Sequence, residues 1–328
     1  MSTTADVDAL LNTLQVDGDL LFCNTGSVDT VTLANLQRVG GNLIFYGNAA
    51  LTTVDLPELE SVSGTPLGYR SWYGVRIQTN AALTSVNLPK LQMTDGDIIV
   101  SDNDLLTGFD LPALTHVGGS VLIHDMTFET LCGPLAGPSV CTAGSALAAL
   151  RSVGHSIVFV DNAELVNPTA LANVISVSND VWLEGNAKLE SFALPALRGL
   201  GRDVLITGNA VLATVDLPQV NVIPGAVAVD KNAALVDLAG LAAVEIVGGG
   251  FSVTANPTLA DASLPALQSV SLDVVVSGNP LLDTLAYPAL AFIGGDLTIK
   301  DNTVLATCAA EAVRDTVGTA NIGGSVTI

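Results

Sequence analysis

A chain of 328 residues has room for one large domain or two ordinary ones, and with 49% apolar but only 4% aromatic residues its core must be built from Val, Leu, Ile and Ala. Its 32 Asp and Glu against 11 Lys and Arg leave a net charge of −21, which argues against nucleic-acid binding, since phosphates call for clustered cations. No apolar run reaches the roughly 18 residues of a membrane span, so direct membrane insertion is not expected, and the opening MSTTADVDALLNTLQ lacks the basic start of a secretion signal.

In chain order, the first clear unit is GNLIFYGNAALTTVDLPELESV, Gly41 to Val62, and a close copy stands at Gly201 to Ile223. Anchored on the Asn of GN or DN, the pattern falls at Asn48, Asn80, Asn103, Asn162, Asn186, Asn209, Asn232, Asn256, Asn279 and Asn302, with Thr25 and Met126 in the same place in two further units. Seven of the eleven steps are 23 residues and two are 24; the steps of 32 and 36 carry insertions at 64–74 and 127–150. Five and three residues before each Asn stand apolar pairs such as Leu43/Phe45 and Val204/Ile206, the period-2 signature of a strand. After it, Leu51, Val54, Leu56, Leu59 and Val62 are spaced 3, 2, 3 and 3, which suits short extended bridges between turns. One such unit cannot bury its own apolar side, whereas stacked units can. The expected fold is therefore an all-β solenoid, a single right-handed parallel β-helix over 1–328 of about 13 rungs, about 58 Å long at about 4.8 Å per strand.

The Asn positions mark the corner after each strand. A buried corner strands backbone N–H and C=O groups, and an amide that both donates and accepts can satisfy them from rung to rung. A structural asparagine ladder is thus favoured over catalytic or sugar-binding Asn. The Leu-Pro that follows in most units fixes φ at a later corner; the two 24-residue units, at Asn162 and Asn232, lack that Pro at the same offset and are expected to turn differently.

The acidic stretch TDGDIIVSDNDLLTGFD offers Asp95, Asp97, Asp102, Asp104 and Asp110, read chiefly as solvated turn carboxylates with calcium as the lesser alternative. No basic residue accompanies them. Nothing in the spacing sets up a carboxylate pair for glycoside cleavage, and His116, His124 and His155 stand in no base–nucleophile pattern. No catalytic residue, metal site or cofactor is predicted. Cys132 and Cys141, nine apart in the longest insertion, suit an intraloop disulfide in a secreted protein. Cys23 and Cys308 are too many rungs apart to pair with each other.

The stretches GGNLIFYGNAALTTVDLPELESV, GGSVLIHD and GGDLTIKDNTVL resemble the repeat of the receptor L domain, a leucine-rich-repeat-like β-helix, and most closely its bacterial and fungal cell-surface relatives. The resemblance implies short capping helices at both ends: an N-terminal cap over 1–18, with a helix near Ala5 to Leu14, and a C-terminal cap over 303–328 that reads as truncated. It also implies a partner for Cys308 just beyond residue 328. For function it implies a non-enzymatic, extracellular or cell-surface binding module with an unknown protein or carbohydrate partner.

The strand alternation leaves two outward rows. One, four before the Asn, includes Ile44, Arg76, Ile99, Leu122, Val158, Trp182 and Leu205; the other, two before it, includes Tyr46, Gln78 and His124. The first is apolar enough to suggest a partner, although β-propensity alone would also favour Val and Ile there. The insertion GTPLGYRSWYG gathers Tyr69, Arg70, Trp72 and Tyr73, the side chains favoured at binding hot spots. The candidate ligand face is thus Tyr46, Tyr69, Arg70, Trp72, Tyr73, Arg76, Gln78, Ile99 and Leu122. The alternatives are that these aromatics merely cover the apolar stripe, and that the whole protein is a cell-envelope spacer with no specific ligand.

Overall fold

The computed structural model describes residues 3–66, 72–107, 109–126 and 147–328. They form an all-β parallel β-solenoid of about 11 turns, against the 13 rungs expected. The chain divides into two compact units, Met1–Val174 and Ile175–Ile328.

In the first unit the long sheet is built from Leu20–Cys23, Leu43–Tyr46, Trp72–Gln78, Asp97–Ser101, Val121–His124 and Ile157–Val160. They pair in parallel and in register, so that Phe22 meets Phe45 and Ile99 meets Leu122. Two-residue strands from Gln15–Val16 to Ser152–Val153 make a second side, and Thr30–Thr32, Thr53–Asp55, Ser85–Asn87 and Phe109–Asp110 a third. In the second unit the long sheet runs from Val181–Glu184 through Val204–Thr207, Val227–Asp230, Phe251–Thr254, Val274–Ser277 and Leu297–Lys300 to Val326–Thr327.

Each turn sends the same side chains inward. In the Asn48 unit, Leu43, Leu51, Val54, Leu56 and Leu59 are all fully buried, and the Asn209 unit repeats this with Val204, Leu212, Leu217 and Val220. Each fully buried Val or Leu contributes about 1.5–3 kcal/mol of transfer free energy. No single turn could hold these residues out of water alone. The two 24-residue units, at Asn162 and Asn232, pass the later corner through short 3-10 segments, Thr169–Leu171 and Ala239–Leu241, where the Leu-Pro units make a simple turn.

The expected N-terminal helix is shorter than Ala5 to Leu14. It spans Thr4–Asp8, with Thr3 accepting from the Asp6 N–H and Asp6 returning to the Thr3 N–H, and gives way to turns. At the other end the helix Thr307–Val317 lays Ala310, Val313 and Val317 on the core.

Asn48, Asn80, Asn103, Asn162, Asn186, Asn209, Asn232, Asn256 and Asn279 are fully buried. In the second unit the amide oxygen of Asn232 accepts from the backbone N–H of Asn209 (3.2 Å) and from its Nδ2 (3.1 Å); Nδ2 of Asn209 also reaches the carbonyls of Leu183 and Thr207. The same pattern continues through Asn256, Asn279 and Asn302. In the first unit it runs from Thr25 through Asn48 and Asn80 to Asn103. Met126 has no side-chain amide to accept from Asn103, which keeps only the contacts to the carbonyls of Ile77 and Ser101 that Asn209 makes to Leu183 and Thr207, while the Met126 N–H donates to Asn162 Oδ1 at 3.3 Å.

Candidate functional site

The residue before every ladder position is left-handed. Its φ lies between 53° and 68° at Asn24, Gly47, Thr79, Asp102, Asp125, Asp161, Gly185, Gly208, Lys231, Ala255, Gly278 and Asp301. That explains GN and DN: Gly tolerates this backbone, and Asp and Asn tolerate it better than other side chains. The turn drives the ladder amide inward and lifts the preceding side chain out beside the long sheet.

A second column, missed in the sequence reading, stands at the entry to many of the long strands. The carboxylate of Asp19 accepts from the Asn42 N–H (2.8 Å), that of Asp97 from Ser120 (2.6 Å), that of Asp203 from Ala226 (2.7 Å) and that of Asp273 from Asp296 (2.8 Å). These carboxylates cap the next strand's first donor. The signal stands in the sequence as an Asp, Asn or Ser six before nine of the twelve ladder positions, with Gly74, Ala226 and Gly250 at the others; of these only Asp97 was considered, as a turn carboxylate. Burial pushes the Asp97 carboxyl above the ordinary carboxylate range, with the Ser120 N–H and His155 opposing. Beside it, Asp95, Gly118, Gly119 and His155 line a shallow cleft; a Cβ on Gly118 would overlap the Asp95 carbonyl oxygen, so the rungs meet closely there.

On the outward face of the first unit, the structure joins three of the predicted ligand residues. The Arg76 guanidinium lies over the Tyr46 ring, 4.9 Å from its centroid, and donates through Nε to Gln78 Oε1 at 2.8 Å. Gln78 in turn donates to Asp102 Oδ2 (3.2 Å), a carboxylate lifted outward by its left-handed turn. Tyr46 is 37% exposed. Ile99 stands in register beside Arg76, and Leu122 beside Ile99, both half-buried. His124 pairs with Asp125 at 3.0 Å on the same edge.

Two outward positions depart from the expected rows. Ile44, between Leu21 and Arg76 in register, is only 6% exposed, and Ser101 is fully buried with no hydrogen-bond partner for its hydroxyl. Alternation fixes which way a side chain leaves the sheet, but not what lies over it.

The backbone of Trp72 and Tyr73 begins the strand Trp72–Gln78 and pairs antiparallel with Pro66 and Thr65. The two ends of the insertion thus pair with each other at this strand's start. Opposite Asp97 the strand carries one extra residue, where a Cβ on Gly74 would overlap the Thr94 hydroxyl. Tyr69 and Arg70 lie outside the described residues, as do Cys132 and Cys141. Cys23 and Cys308 are exposed free thiols. Among the described residues no three His, Cys, Asp or Glu gather as for a metal ion, and no helix is long and apolar enough to cross a membrane.

Residues 12–111 match the family model of the Receptor L domain. The first unit is therefore similar, over about a hundred residues, to a class of extracellular receptor-type binding modules that are in general non-enzymatic. No curated protein matches the chain.

Proposed function

We propose that the protein is a non-enzymatic extracellular binding module, and that the first unit's outward sheet face, together with the insertion 64–74 that leads into it, is what it presents to a protein or glycan partner at the cell surface. The observation that carries this reading is the arrangement Tyr46–Arg76–Gln78–Asp102. A guanidinium held over an exposed phenol ring and tied to a carboxamide is already ordered, so a partner would not have to pay for fixing it. Ile99 and Leu122, in register beside Arg76, add apolar groups to this aromatic and cationic pair, and Trp72 and Tyr73 are proposed as members on their place in the sequence, at the start of the same strand; Tyr, Trp and Arg are the side chains enriched at binding hot spots. The match to the Receptor L domain, over residues 12–111, covers every proposed member but Leu122 and supports a protein partner first. Bacterial or fungal surface relatives remain part of the proposal on the strength of the repeat residues alone.

The test compares the parent with Tyr46→Ala/Arg76→Ala on a glycan array and against detergent extract of native membranes. Both side chains leave the sheet outward, so the variant should melt within about 1 kcal/mol of the parent and lose capture. Unchanged capture by the folded variant would move the site elsewhere.

A further inference from the structure

The second unit carries its own aromatic on the outward face, independent of the Tyr46 patch. Trp182 stands in the middle of Val181–Glu184 with 37% of its surface exposed. Its indole N–H donates to Glu184 Oε2 at 2.9 Å, which ties ring and carboxylate together two residues apart on one strand. On the next strand Leu205 lies beside Trp182 and Thr207 beside Glu184, both half-buried, so the pair has an apolar shelf on one row and a hydroxyl on the other. The next carboxylate along that row, Asp230, is already engaged by Lys231 Nζ (2.7 Å) and by the Thr254 hydroxyl (2.7 Å). Glu184 is thus the acid beside an exposed ring.

We propose that Trp182 and Glu184 receive one arginine side chain from a protein partner. Three observations lead to this ligand. An indole face attracts a cation more strongly than any other side-chain ring, and a carboxylate at its edge adds a charge-assisted hydrogen bond. Since Glu184 Oε2 takes the indole N–H, the carboxylate can also accept from a cation lying flat on the ring. Next, residues 175–328 hold 15 acidic and 6 basic side chains, a net −9 within a chain that is acidic throughout, so a cationic partner is favoured over a neutral or anionic one. Finally, the protein builds the same arrangement internally: Arg76 lies over Tyr46 while donating to the Gln78 carboxamide, using the same two outward rows of the long sheet. A planar guanidinium satisfies ring and carboxylate together, which an ammonium does not, so arginine should be preferred to lysine.

The experiment follows the Trp182 indole N–H resonance, identified by its loss in Trp182→Phe, during titration of the full chain with three Gly/Ser heptapeptides. One has a single central arginine, one lysine and one citrulline. The arginine peptide should give a saturable shift, the lysine peptide one at least fivefold weaker, and citrulline, which keeps the shape but loses the charge, none. Glu184→Gln retains an acceptor for the indole and should weaken the arginine peptide about tenfold. Trp182→Ala, read by calorimetry, should abolish its binding without moving the melting temperature by more than a degree or two. Equal response to arginine and citrulline, or an unchanged affinity in Glu184→Gln, would overturn the proposal. So would undiminished binding to Trp182→Ala, which would show diffuse attraction to an acidic surface.

Discussion

At the scale of single residues, the ladder concentrates stability in a few amides. Asn209 is fully buried and engages the backbone of two rungs as well as Asn232, so Asn209→Ala leaves those partners in the dark. The expected cost is about 1–3 kcal/mol, seen as a lower denaturant midpoint, and an unchanged midpoint would refute the ladder's role. The residue before each amide makes the opposite prediction. Thr79 is β-branched, exposed and left-handed at φ 57°, in a column where four other positions are Gly. Relieving a strain of about 1–2 kcal/mol, less the 0.5–1 kcal/mol that Gly loses in chain entropy, Thr79→Gly should stabilise by about 0.5–1 kcal/mol. Tyr287 takes the place held by Leu56 and Leu217 in other units; it packs edge-on to Phe251, and its hydroxyl is buried with no hydrogen-bond partner. Burial, with the negative charge of Asp261, pushes its ionisation far up, so it stays a neutral phenol at any ordinary pH. Tyr287→Phe should therefore raise the melting temperature, since a stranded hydroxyl costs about 1–3 kcal/mol. A drop would reveal a partner for the hydroxyl.

At the scale of elements, the repeat made the strands, the inward columns and the ladder legible, because each is a side-chain choice repeated every 23 residues. The two irregular corners were readable from a missing Pro together with the extra residue of their units, since the Thr25 unit has Ala34 at that place and turns regularly. What escaped the reading was set by cover rather than by alternation, as at Ile44 and Ser101, or by a role shared among Asp, Asn and Ser, as in the strand-entry column. Of the candidate site, Tyr46, Arg76 and Gln78 were legible as neighbours in outward rows, but not the link to Asp102, which depends on the left-handed turn. The entry column has a pH signature. The Asp97 carboxyl binds its proton more tightly folded than unfolded, so its protonation favours the fold below pH 3.8, and this is lost as pH rises through its elevated folded value. At neutral pH the ionised group is then a net liability that its hydrogen bond from Ser120 only partly offsets. Asp97→Asn keeps an acceptor for Ser120 and removes the charge. It should gain up to about 1 kcal/mol at pH 7, discounted for partial exposure, with the gain vanishing below pH 3.8. A gain that persisted at pH 3 would assign the effect to packing instead.

At the scale of the whole molecule, stacking multiplies every side-chain position, charges included. The 23-residue period that aligns Leu over Leu also aligns carboxylate over carboxylate, about 4.8 Å apart for adjacent rungs. Asp102 and Asp125 follow one another before their ladder positions, and Asp273 and Asp296 do so at strand entries, where the Asp296 N–H donates to Asp273. Cations relieve only part of this. Arg202 reaches both Asp180 (3.8 Å) and Asp203 (3.3 Å), but 11 basic side chains face 32 acidic ones. Like charges at one rung's separation repel in the folded state and relax when the chain expands, so they oppose folding. Salt shortens the reach of that repulsion from about 30 Å at 0.01 M to about 10 Å at 0.1 M. The melting temperature should accordingly rise with sodium chloride over this range. Charge reversal at an exposed αL position, Asp125→Lys, should flatten the rise, and the His124 pairing lost with it is an exposed one of small energetic weight. If salt instead lowered the melting temperature, the few cation–carboxylate pairs would outweigh the stacked acids, and the columns would be held together by charge rather than in spite of it.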